Sequence, residues 1–134
     1  MSGPARRTAS LLKAARAVRR RAHAPYSKFS VGAAVLDERG RVHVGCNLEN
    51  ASYGLTVCAE RNAIAAAVAA GARSIRAVAV ASGASPPASP CGACRQVIAE
   101  LGRTDTEVLI AGAKGAAART TLGALLPLAF ALTT

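Results

Sequence analysis

Three thiols and one carboxylate constrain this chain more than anything else in it. They lie in two short stretches, Cys58-Ala59-Glu60 and Pro90-Cys91-Gly92-Ala93-Cys94. The Cys-x-x-Cys spacing puts the sulfurs of Cys91 and Cys94 on one helical turn, within reach of a single metal ion. Pro90 is suited to start that helix. A helix N-terminus carries partial positive charge and favours thiolate over thiol. Cys58 is expected to begin a helix of its own, so the same argument applies there. Three thiolates around Zn²⁺ leave a negative cluster, and Arg61, one turn into the Cys58 helix, can offset it. The fourth metal position would be open to water, which is the catalytic arrangement. Glu60 is not needed as a ligand. It stands where a carboxylate could take a proton from that water and pass it to a ring nitrogen and then to a leaving amine, as hydrolysis at an aromatic amidine carbon requires. Two other readings stay open on these residues: a redox pair, and a closed structural zinc site in which Cys46 is the fourth thiol. We read Cys46 instead as a small buried residue of a strand.

The 134 residues suit one domain, 1–134, with a modest core. A hydrophobic fraction of 51% excludes a disordered chain, while 3% aromatics and no Trp leave Ala, Val, Leu and Ile to build the interior. Alanine fills space only where backbones approach closely, so tight helix packing and an oligomer are expected. The net charge of +10 would suit a nucleic-acid partner. However, no RNA-binding motif with interleaved aromatics is present, and an Arg- and Ala-rich composition accounts for the charge, so nucleic acid is disfavoured. No apolar run is fit to span a membrane. Four cysteines without a secretory pattern suggest metal or redox chemistry in a reducing, cytoplasmic setting. The N-terminus is Arg-rich and has no acid before Asp37. That composition suits a transit peptide, but we read it as a first helix.

In chain order, residues 1–4 are expected to be disordered. A helix is expected over 5–23, with Leu11, Leu12, Ala15 and Val18 on one face, ended by Pro25. Val31–Leu36 and Val42–Leu48 read as strands joined by a hairpin at Asp37-Glu38-Arg39-Gly40. Residues 63–70 have no polar face, which implies burial on every side and so a subunit contact. Ile75–Ala81 and Glu107–Ala111 read as core strands, with a helix from Cys91 to Leu101 between them. Residues 114–119 read as a connector and Leu122–Leu126 as a short helix. Strand pairs and helices in this order imply a mixed sheet with helices on its faces, an α/β fold. His23 and His43 read as structural or exposed.

The chain resembles the small homotetrameric zinc-dependent cytidine deaminases over residues 24–130. The resemblance rests on Ala-Pro-Tyr-Ser-Lys-Phe at 24–29, Val-Gly-Ala-Ala at 31–34 and Gly-Cys-Asn-Leu-Glu-Asn-Ala-Ser-Tyr-Gly at 45–54. It continues with Cys-Ala-Glu-Arg at 58–61, Ser-Pro-Cys-Gly-Ala-Cys-Arg-Gln-Val at 89–97 and Leu-Leu-Pro-x-x-Phe at 125–130. It implies a three-layer α-β-α fold with a five-stranded mixed sheet, and one Zn²⁺ per subunit held by Cys58, Cys91 and Cys94, with Glu60 as proton shuttle. It further implies that Asn47 and Glu49 bond the ribose, Phe29 stacks on the pyrimidine beside Ala59, and Phe130 closes the pocket, often that of a neighbouring subunit. Ala51 and Tyr53 would reach a neighbouring subunit's site. On the residues alone, Phe29 could also be core, Asn47 and Glu49 loop polars, although their alternation puts both on one face, and Tyr53 a surface residue. The implied activity is hydrolytic deamination of cytidine and deoxycytidine in pyrimidine salvage. The alternative is a cytosine-bearing nucleoside antibiotic of the blasticidin S type. The chain departs from the family pattern in the Ser85-Pro86-Pro87-Ala88 loop and in Ala131-Leu132-Thr133-Thr134, where relatives carry a Gly-Pro-x-Asp-type tail.

Overall fold

The computed structural model describes residues 3–132. Strands β1 (Val31–Asp37), β2 (Val42–Cys46), β3 (Ile75–Ser82), β4 (Glu107–Ala111) and β5 (Ala118–Thr121) form one sheet, in the order β2-β1-β3-β4-β5. The β3–β4 pair is parallel and the other three pairs are antiparallel, so the sheet is mixed. Helices α1 (Gly3–Val18), α2 (Ala59–Ala69), α3 (Gly92–Leu101) and α4 (Leu122–Leu125) complete the fold.

Strand side chains alternate between faces, and here both faces are covered. On one side Ala34, Leu36, Ala77, Ala79, Ala81 and Leu109 meet Leu11 and Ala15 of α1. On the other, Ala33, Val35, Val78 and Val80 meet Ala59, Ala63, Ile64 and Ala67 of α2 and Ile98 of α3. This is the expected three-layer α-β-α arrangement. The small side chains allow very close helix–sheet approach. A β-carbon on Gly32 would lie 2.1 Å from the Ala15 carbonyl oxygen, and one on Gly45 would lie 2.3 Å from the Ala63 nitrogen.

The β1–β2 hairpin is fastened by a buried carboxylate. Asp37 Oδ1 accepts from the Arg39 and Arg41 amides at 2.8 and 2.9 Å. Its Oδ2 accepts from Arg41 Nε at 2.9 Å and pairs with His43 Nε2 at 2.8 Å. Gly40 supplies the positive φ of the turn, 80°. Arg41 also donates from Nη1 to the Ala70 carbonyl at 3.2 Å, tying the hairpin to the C-terminal end of α2, where a cation is favoured.

Several boundaries differ from the sequence reading. Gly3 and Pro4 belong to α1, because proline's fixed φ suits a first helical turn where no amide bond is lost. Met1 and Ser2 lie outside the described residues. The α-helix ends at Val18 and tightens into a 3₁₀ turn at Arg19–Arg21. Strand β2 stops at Cys46, and Leu48 instead exchanges backbone bonds with Val57. The stretch read as a connector contributes β5, whose exposed Ala-Arg-Thr-Thr has no apolar alternation and is a strand by virtue of its ladder to β4. Within the chain, α2 buries Ala63, Ile64 and Ala67 but leaves Ala65, Ala66, Val68 and Ala69 exposed, so burial on every side is not met by this chain alone.

Candidate active site

The site forms where α2 and α3 begin, on the same side of the sheet. Cys58 is the N-cap of α2 and Cys91 the N-cap of α3, both with extended backbone. Pro90, buried before α3, turns the chain into that helix. Arg95 fixes this entry by donating from Nε to the Pro90 carbonyl at 2.8 Å, from Nη2 to Ser89 Oγ at 2.8 Å and from Nη1 to the Leu125 carbonyl at 2.9 Å.

The sulfurs converge. Cys58 Sγ lies 3.9 Å from Cys91 Sγ, and Cys91 Sγ lies 3.5 Å from Cys94 Sγ. All three fall within 4.8 Å of one another. Tetrahedral zinc with Zn–S bonds near 2.3 Å separates its sulfurs by about 3.8 Å, so this donor set fits the ion in both softness and spacing. All four cysteines are free thiols, and Cys46 is not in the group. Neither the closed four-thiol site nor a Cys91–Cys94 disulfide is formed.

The electrostatics of the metal-free cluster favour a first thiolate at Cys58. The Cys94 thiol's hydrogen bond to Cys58, aided by Arg61 and Cys91, pulls the Cys58 pKa down to about 5 against the opposing effect of burial. Cys94 is pushed up, by that hydrogen bond and by its burial, so the charge resides first on Cys58. Arg61 Nη2 donates to Cys58 Sγ at 3.6 Å and to the Thr56 carbonyl at 3.4 Å. Glu60 is 4% exposed. Burial, and after it the nearby Cys58 charge, raises its pKa, the direction that suits a carboxyl group in proton transfer.

Phe29, Asn47, Cys58, Ala59, Glu60 and Cys91 line one pocket of about 190 Å³, together with Val31, Thr56, Val80, Ala88 and Ser89. Thr56 also borders an adjoining groove of about 360 Å³ formed with Tyr26, Ser27, Glu49 and Tyr53. An apolar slot ending at the thiols thus meets, at Thr56, a more open groove that carries the polar side chains of Ser27 and Glu49. Asn47 spans the strand ends: its Nδ2 donates to the Phe29 carbonyl and its Oδ1 accepts from the Val31 amide, both at 2.8 Å. Glu49 Oε1 accepts from the Tyr26 and Ser27 amides at 3.0 and 3.2 Å. Tyr53 meets Tyr26 edge-on, ring centroids 6.2 Å apart, so it borders its own chain's groove.

Ala51 and Phe130, expected to act at a neighbouring copy's site, do not line this chain's own cavities. Ala51 is exposed and lines neither cavity. Phe130 is 69% exposed and is held by its backbone, whose carbonyl accepts from Gln96 Nε2 at 3.0 Å. The sequence reading assigned no role to Ser27, Tyr26, Thr56 or Arg95. Ser27 and Tyr26 carried a signal in the 24–29 motif, whereas Thr56 had none. His43 is structural, as read, through Asp37.

The chain matches the family model described as the cytidine and deoxycytidylate deaminase zinc-binding region over residues 6–111. It is 48% identical over 120 residues to the cytidine deaminase of Sporosarcina psychrophila, covering 90% of this chain and 88% of the relative. The crystal structure of cytidine deaminase from Burkholderia pseudomallei superposes with a TM-score of 0.88 at 48% identity, covering 97% of this chain and all of the other. That of Mycobacterium tuberculosis cytidine deaminase gives 0.82 at 40% identity over 93% of this chain and 98% of the other.

Proposed function

The chain belongs to the cytidine and deoxycytidylate deaminase family, and from that premise we propose that it hydrolyses the exocyclic C–N bond of cytidine and 2′-deoxycytidine, giving uridine or 2′-deoxyuridine and ammonia. The observation that carries the reading is Glu60, a buried carboxyl group lining the same pocket as the Cys58 and Cys91 thiols. Bound through Cys58, Cys91 and Cys94, zinc supplies a Lewis acid that makes water nucleophilic near neutral pH. Glu60 would take one proton of the attacking water to the ring nitrogen N3, and would then carry the second, from the hydroxyl group formed at C4, to the departing amine, which leaves as ammonia. Arg61 balances the thiolate charge. Phe29 and Ala59 bound the pyrimidine, while Asn47 and Glu49 face the sugar hydroxyls. Burial in the slot strips water from the ring and strengthens each of these polar contacts.

The apolar outer face of α2 (Ala65, Ala66, Val68 and Ala69) and the outlying Phe130 and Ala51 support a homotetramer in which neighbouring copies complete each site. Residues 1–134 act in this reading as one cytidine deaminase-like unit, serving pyrimidine salvage in the cytoplasm. Among the described residues no helix is long and apolar enough to cross a membrane. An ultraviolet assay over cytidine, deoxycytidine, cytosine, adenosine and blasticidin S tests the proposal. Turnover of the first two is expected. Preference for adenosine or blasticidin S, or equal turnover of cytidine within a single-stranded oligonucleotide, would overturn it.

A further inference from the structure

The geometry points to Ser27 as a positioning residue that couples the sugar-side carboxylate of Glu49 to the base-side ring of Phe29, making sugar and base recognition one hydrogen-bonded unit. This deepens the deaminase reading and rests on it for the identity of the ligand.

The Ser27 hydroxyl is used in both directions. It donates to Glu49 Oε2 and accepts from the Phe29 amide at 3.0 Å. Its own amide, with that of Tyr26, donates to Glu49 Oε1. A carboxylate offers about four lone-pair directions, and three are occupied by this one loop. The orientation of Glu49, and the direction of its remaining lone pair toward a sugar hydroxyl, therefore depend on the loop. Between the two residues joined by the hydroxyl, Lys28 has φ of 61°, a left-handed conformation that a side chain adopts only where its surroundings hold it. The Lys28 amide closes the turn on the Ala24 carbonyl at 3.0 Å. Past the turn, Asn47 holds the Phe29 carbonyl and the Val31 amide. Phe29 is thus fixed by Ser27 on its amide side and by Asn47 on its carbonyl side. Glu49 is anchored in turn by its backbone, its amide donating to the His23 carbonyl at 2.8 Å. The ionic state agrees: the Ser27 hydroxyl first, then the Ser27 and Tyr26 amides and the nearby His23, hold the Glu49 carboxyl below its usual range against burial.

Without the hydroxyl, Glu49 loses a donor and the Phe29 amide loses its acceptor, while the thiols and Glu60 are untouched. The test uses the zinc-loaded full chain with Ser27→Ala, Ser27→Thr, Glu49→Ala and the Ser27→Ala/Glu49→Ala double variant. Deamination of cytidine is followed for kcat and KM, and the Glu49 carboxyl is titrated by ¹³C NMR. A hydrogen bond to a charged group is expected to make KM about tenfold higher in Ser27→Ala, with kcat changing much less. Ser27→Thr, which keeps the hydroxyl, restores KM. Most of the Ser27→Ala penalty disappears when Glu49 is already alanine. The Glu49 titration moves up in Ser27→Ala and stays in place in Ser27→Thr. An unchanged KM and titration in Ser27→Ala, or an equal penalty with and without Glu49, overturns the coupling. A parent chain inactive on cytidine whose Glu49 titration still follows the Ser27 hydroxyl overturns the deaminase reading and leaves the coupling standing.

Discussion

The Sγ atoms of Cys58 and Cys91 lie 3.9 Å apart although 33 residues separate them in the chain. Two helix N-termini and the sheet beneath them hold that separation, so the metal and the fold should be thermodynamically linked. Zinc at a free concentration 100-fold above its dissociation constant is expected to add about 2.7 kcal/mol of stability. Chelation should lower the melting temperature accordingly. The thiols will not be equivalent even in metal-free protein: Cys94 is fully buried and Cys91 exposed. Cys94→Ser replaces the buried thiol that bonds Cys58 and Cys91 by a shorter hydroxyl group that reaches them poorly and is expected to cost about 1–3 kcal/mol, while Cys91→Ser costs little. Equal unfolding midpoints for the two variants in chelator would contradict this.

Glu60→Gln keeps the size of the side chain and removes its proton chemistry. We expect zinc content to stay at parent level and kcat to fall by about 10²–10⁴-fold, the range of positioned acid–base groups. A variant with full activity would make Glu60 a structural residue. Loss of zinc along with activity would indicate that the carboxylate supports the metal instead of the substrate.

Gly45 and Gly32 are tested by single methyl groups. A β-carbon on Gly45 meets the α2 backbone at Ala63 N, and at Ala59 O and Asn62 C, both 2.8 Å away. On Gly32 it meets backbone atoms of Ala15 in α1 and of Arg19 in the 3₁₀ turn that follows, on the opposite face. Backbone cannot rotate aside as a side chain can, so Ala at either position is expected to cost about 1–3 kcal/mol or more. Only Gly45→Ala pushes on the helix that carries Cys58 and Glu60, so it should also weaken zinc binding and lower kcat. Gly92→Ala, with open space around it in α3, is expected to be neutral or to stabilise by up to about 1 kcal/mol. Chemical unfolding and zinc titration of the three variants separate these outcomes.

What the sequence disclosed depended on the range of the interaction. The thiols and Glu60 were legible because their chemistry fixes their spacing, and β4 appeared at its observed bounds because Glu-Val-Leu-Ile-Ala is buried on both faces. Strand β5 was not legible in its own residues, since Ala-Arg-Thr-Thr is exposed and owes its conformation to the neighbouring β4. The hydrogen bond of Ser27 to Glu49 was hidden for a similar reason: a loop serine has no period, and its partner is 22 residues away. Ala51 and Phe130 were expected from the resemblance alone, and one chain places neither in its pocket.

Asp37 links the hairpin, α2 and His43, and its ionisation should appear in the acid limb of stability. The side chain is inaccessible to solvent. Burial alone would raise its pKa, but the His43 hydrogen bond, the Arg41 and Arg39 amides and the Arg41 guanidinium outweigh it and hold the carboxyl well below the usual range. A carboxyl group depressed in the folded state binds protons more readily when unfolded. Its contribution is therefore complete above the unfolded pKa, about 4, and is lost progressively as pH falls below that toward the folded value. Asp37→Asn removes the ionisable group and leaves Arg41 with a weaker partner. The variant should be less stable than the parent at pH 7, and the difference should shrink as pH falls below about 4. Denaturant midpoints of both proteins from pH 7 down to the lowest pH at which they fold give the comparison. A gap that stays constant across that range would mean that Asp37 stabilises the hairpin through its shape and neutral hydrogen bonds, and not through its charge.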